Sequence, residues 1–88
     1  MQPKQNTNTM TAEDVHARAL RSILSLAHQW RKSKDTVNHA IKMYKDVIKT
    51  APESIEAGEA RSILVEIADE WDKKGQKYAS ARLYKDLI

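Results

Sequence analysis

The sequence predicts an all-α protein, and three observations predict it. Apolar residues recur every three or four positions through four separate stretches. Only two glycines and two prolines occur in 88 residues, which is too few turn residues for a sheet of many short strands. The chain also repeats itself. RSILSLAHQW at 21–30 returns as RSILVEIADEW at 61–71, and YKDVI at 44–48 returns as YKDLI at 84–88.

Residues 1–10 are polar and without periodicity, so a disordered tail is expected there. A helical domain is expected over 11–88, with repeat one at about 12–51 and repeat two at about 53–88. Thr11 is placed to cap the first helix, with Asp14 three residues on, as a capping box requires. Met10 and Val15 have the spacing of a hydrophobic staple. Leu20, Ile23, Leu24, Ala27 and Trp30 then form an apolar stripe. The helix is expected to fray near RKSKD, where Asp35 or Thr36 can cap the next one.

The second stripe is Val37, Ala40, Ile41, Tyr44, Val47 and Ile48, ending before Pro52 because proline disfavours a helical residue ahead of it. Thr50 and Ser54 are rival caps for the third helix. That helix carries Ala60, Ile63, Leu64, Ile67, Ala68 and Trp71. Gly58 near its start implies close approach of another backbone, or a frayed first turn. Lys73, Lys74 and Gly75 mark its end. The fourth stripe is Tyr78, Ala81, Tyr84, Leu87 and Ile88. Both tryptophans are expected in the core, in equivalent positions.

A period of about 40 residues points to a helical array in which each pair covers its apolar face with a neighbour. Leu26-Ala27-His28-Gln29-Trp30 and Ile67-Ala68-Asp69-Glu70-Trp71, followed by Ala40, Tyr44 and Pro52 in one copy and Gly75, Tyr78, Ala81 and Tyr84 in the other, resemble the tetratricopeptide repeat. The resemblance covers 12–88. It departs from the family in its period, against about 34 residues, in the missing glycine near Lys34, and in the short Ala81–Tyr84 spacing. It implies two tandem antiparallel helix–turn–helix hairpins, a fragment of a right-handed α-solenoid. It also implies a groove for a peptide or partner helix, lined by the first helix of each repeat. Those residues would be Arg21, Ser25, His28, Arg31 and Lys32, opposite Glu66, Asp69, Asp72 and Lys73. One wall is basic and the other acidic, so a ligand of mixed charge is expected.

Other functions find less support. No cysteine is present, and no two of His16, His28 and His39 are four residues apart, so neither a metal site nor a thiolate nucleophile is expected. Glu66 and Glu70 share a face, but a solvated surface is the simpler reading of that acidic run. No Gly-rich phosphate loop or nucleophile–base arrangement occurs, and neither cofactor nor catalysis is expected. The +3 charge is interspersed, which disfavours nucleic acid as the principal partner. Trp30 beside Arg31, Lys32 and Lys34 keeps single-stranded nucleic acid or another polyanion as the alternative. No signal peptide or apolar span is evident, so a cytoplasmic protein without a membrane partner is expected. Tyr84, Leu87 and Ile88 leave an apolar edge, so self-association into a homodimer, or a C-terminal extension, is expected.

Overall fold

The computed structural model describes residues 11–88. The expected tail and the Met10 half of the staple lie outside them. Four helices follow one another: α1 (Ala12–Arg31), α2 (Val37–Thr50), α3 (Ile55–Lys73) and α4 (Lys77–Asp86), with no strand among the described residues. α2 packs on both α1 and α3, α3 also touches α1, and α4 packs on α3.

The helix ends have identifiable causes. Thr11 Oγ1 accepts from the Asp14 amide while the Asp14 carboxylate accepts from the Thr11 amide, completing the capping box. Thr36 stands at the start of α2, but it does not cap it. Its hydroxyl donates to the Trp30 carbonyl and ties the turn to the end of α1 instead. Of the rival caps for α3, Ser54 serves, accepting from the Ala57 amide. At the other end Gly75 takes φ +84°. The Gly75 amide donates to the Asp72 carbonyl and the Gln76 amide to the Trp71 carbonyl, which is a Schellman motif. Gly58 follows neither expectation. A Cβ there would meet nothing within 4 Å, and its amide already donates to the Ser54 carbonyl.

The core joins Leu20, Leu24 and Ala27 of α1 to Ala40, Ile41, Tyr44 and Val47 of α2. It continues into Ala60, Leu64, Ile67 and Ala68 of α3 and ends at Leu83 of α4. Alanines with no exposed surface (Ala27, Ala40, Ala60 and Ala68) let the helices approach closely, and larger side chains fill the remaining space.

The buried faces follow a different register from the one that aligning the two tryptophans suggests. The second copy has one extra residue inside a continuous helix, and one residue turns a helix by about 100°. Burial follows a constant offset of about 40 residues: Leu20 with Ala60, Leu24 with Leu64, Ala27 with Ile67. The tryptophans are therefore not equivalent. Trp71 is half-buried against the core, whereas Trp30, 36% exposed, stands in the place of Glu70 and meets His39 edge-on at 5.5 Å between centroids.

The same offset corrects α4. Its inward residues are Ser80 and Leu83, with Leu87 half-buried. Ser80 takes the place of Ala40, and its hydroxyl donates to the Lys77 carbonyl. Tyr78 is 77% exposed with Arg82 over its ring, and Ala81 and Tyr84 face outward. Tyr44 is buried where α2 packs between α1 and α3, but no further helix among the described residues lies over the matching face of α4.

Candidate functional site

α1 and α3 lie side by side, and a ladder of ion pairs joins them. Arg21 reaches Glu59 at 2.9 Å and Glu56 at 4.0 Å. Arg31 reaches Glu66 at 2.8 Å and Glu70 at 3.3 Å. Between these rungs stands His28. Its Nδ1 is 2.6 Å from the Tyr44 hydroxyl, and its Nε2 is 3.7 Å from Glu59. Burial pushes the Tyr44 hydroxyl above the usual tyrosine range. Arg31 opposes that shift, while Glu59 and Glu66 add to it. Tyr44 therefore stays neutral, and its hydroxyl and His28 Nδ1 share one hydrogen bond, in which either can donate.

The expected groove residues separate into three groups. Arg21, His28, Arg31 and Glu66 form the ladder itself, so the basic and acidic walls bind each other. Asp69 and Asp72 turn away toward α4. Asp69 accepts from the Tyr84 hydroxyl, which pushes the Tyr84 pKa up to about 12, and Asp72 takes Lys77 at 2.8 Å. Ser25, Lys32 and Lys73 remain exposed and make no ion pair among the described residues.

The expected self-association edge is discontinuous. Leu87 packs against the core, Tyr84 is tied to Asp69, and Ile88 is exposed. Beside it Lys45 of α2 binds Asp86, holding that carboxyl below its usual range through the hydrogen bond and the charge of Lys45. This pair borders a cleft of about 280 Å³ between α2 and α4, lined also by Ile41, Trp71, Tyr78 and Leu83.

Sequence reasoning missed the partners of the α1 arginines. Glu56, Glu59, Glu66 and Glu70 recur on one side of α3, a periodicity visible in the sequence, but nothing local says which helix that side meets. It also missed that Lys74, just past the end of α3, converges on Lys32 and Lys34. Those three residues, with Arg31, Glu70 and Trp71, line a second cleft of about 250 Å³.

No group of three or more potential metal ligands occurs among the described residues, and none of their helices is long and apolar enough to cross a membrane. Comparison with protein-family models, with curated proteins and with solved structures returned no match.

Proposed function

We propose that the chain is a protein-interaction module of tetratricopeptide-like design that takes a peptide or partner helix across the exposed faces of α1 and α3. One observation carries this reading. The ladder of Arg21, His28 and Arg31 against Glu56, Glu59, Glu66 and Glu70 aligns the two helices side by side, leaving Ser25, Lys32 and Lys73 exposed along them. A pre-set surface binds without first losing its own conformational freedom. Because the ladder uses up most opposite charges, the free charge on this face is basic (Lys32 and Lys73), which favours an acidic segment. Selection of helical and extended peptides from a displayed library tests the reading. Selected peptides lose at least tenfold in affinity for Ser25→Arg and Lys73→Glu variants; peptides that bind these variants and the parent alike refute it.

A second reading, binding of single-stranded nucleic acid or another polyanion, draws on the cleft where Lys32, Lys34 and Lys74 surround Trp71. Phosphate contacts weaken steeply with salt. Oligonucleotide binding that falls steeply with salt and is lost in Lys34→Glu and Lys74→Glu supports this alternative; no binding at low salt excludes it.

A further inference from the structure

The cleft beside the turns of the two hairpins has an apolar floor and a basic rim. Val37 at the start of α2 and Trp71 of α3, both half-buried, form the floor with Ile67 beneath them. Lys32, Lys34 and Lys74 stand exposed around it. None of the three makes an ion pair or a side-chain hydrogen bond among the described residues. Glu70 is the one carboxylate that lines the cleft, and Arg31 already holds it at 3.3 Å. Lys32 and Lys74 suit the ends of α1 and α3, but neither ammonium caps a carbonyl. The carbonyls of Gln29, Trp30, Glu70, Trp71 and Asp72 accept from backbone amides or from the Thr36 hydroxyl, and Lys34 stands in the turn beyond α1. An offset of 40 residues carries Lys34 onto Lys74, so each copy places a lysine at the same point of its turn and the fold brings both to one cleft. Like charges gathered without a counter-charge repel one another, and an anionic partner relieves that repulsion.

We propose that this cleft anchors an acidic segment of the partner protein. One bulky apolar side chain enters it against Val37 and Trp71, and carboxylates on either side of that residue pair with Lys34 and Lys74. The proposal rests on the peptide-binding reading and names the partner's chemistry. An apolar cavity of about 150 Å³ holds benzene, so a cleft of about 250 Å³ has room for a phenylalanine or leucine side chain. Charge complementarity selects the occupant. Residues 1–10 contain no Asp or Glu, so that end of the chain has no carboxylate side chain to offer the lysines. A nucleic-acid strand is held by cations along a track. Here they ring a single cleft with Glu70 among them, which suits a short acidic segment better than a phosphate backbone.

Peptides selected from a displayed library on the parent chain, then synthesised, test this. The expected peptides carry one Phe, Leu, Ile or Trp flanked by Asp or Glu. With a peptide whose anchor is Phe, Leu or Ile, in a Trp30→Phe background, binding shifts the emission of Trp71 to the blue. Replacing the peptide's apolar residue by alanine lowers affinity at least tenfold. Lys34→Glu and Lys74→Glu each lower it at least fivefold, with helical content unchanged by circular dichroism. Peptides weakened by Ser25→Arg or Lys73→Glu but indifferent to Lys34→Glu and Lys74→Glu overturn the anchor site and leave the peptide-binding reading standing. Peptides indifferent to all four variants overturn both, as does a library that yields no binder. Three further results give the cleft to another occupant and overturn the proposal: peptides that keep their affinity without the apolar residue, a single-stranded oligonucleotide that displaces every selected peptide, or a dimer of the parent chain that parts in Lys74→Glu.

Discussion

The Tyr44 hydroxyl lies 2.6 Å from His28 Nδ1, and this contact joins α1 to α2 at the point where α3 closes over both. Tyr44 has no exposed surface, so its ring fills the core while its hydroxyl reaches the rim of the ion-pair ladder. Tyr44→Phe keeps the ring and removes the bond. It is expected to lower stability by about 1 kcal/mol, the net worth of one such hydrogen bond. Tyr44→Ala removes the ring as well and is expected to cost about 3–5 kcal/mol through the cavity it leaves. Urea denaturation followed by circular dichroism measures both, and equal losses in the two variants would contradict this placement.

The two glycines are expected to respond in opposite directions to alanine. Gly58 sits inside α3 with open space around its Cα, so Gly58→Ala gains about 1 kcal/mol from helix propensity alone. Gly75 has φ +84°, where any side chain strains the backbone, so Gly75→Ala loses about 1–2 kcal/mol. Thermal melting of the two variants against the parent shows the sign at once.

The ladder between α1 and α3 positions the helices more than it stabilises them. Arg31 touches two glutamates, but both are more than half exposed, and water and salt screen such pairs. A double-mutant cycle with Arg31→Ala and Glu66→Ala is expected to return a coupling of about 0.5 kcal/mol, most of it gone in molar salt. A coupling of several kcal/mol would mean that the pair is far better shielded than its exposure indicates.

What the sequence made legible was whatever local chemistry determines. The Thr11–Asp14 capping box, the halt before Pro52 and the turn at Gly75 depend only on residues within a few positions, and all three stand where the pattern puts them. The identity of the buried faces was harder to read. One extra residue in the second copy leaves the Trp-bearing motif intact to the eye yet rotates it by about 100°, so that Trp71 turns inward where Trp30 does not. The same shift concealed Ser80, which replaces an alanine of the first copy and is buried because its hydroxyl finds the Lys77 carbonyl. The ion pairs among the expected groove residues were hidden for a related reason. Arg31 and Glu66 were recognisable as charges, but whether they face a ligand or each other depends on how α1 and α3 lie together, which no local pattern encodes.

α4 is the shortest helix, and polar ties sensitive to pH supplement its apolar contact. The bond from Tyr84 to Asp69 needs a protonated tyrosine, and it raises the tyrosine from its ordinary 10.0 to about 12. A raised pKa means that the folded state holds its proton more tightly. The contribution is therefore complete below pH 10 and is lost as pH rises from about 10 to 12. Asp86 behaves in the opposite sense. Lys45 lowers its pKa, so its contribution is complete above the ordinary carboxylate value of 3.8 and is lost as pH falls through the lowered one. Trp71 reports both events, because it lines the cleft between α2 and α4. In a Trp30→Phe background its emission is expected to shift to the red at each extreme of pH, as α4 loosens before the remaining helices melt. Tyr84→Phe should shrink the alkaline step and leave the acid step, and Lys45→Met should shrink the acid step, the Asp72–Lys77 pair accounting for the remainder. One transition at each extreme, coincident with loss of all helical signal and untouched by either substitution, would show instead that α4 is held by Leu83 and Leu87 alone.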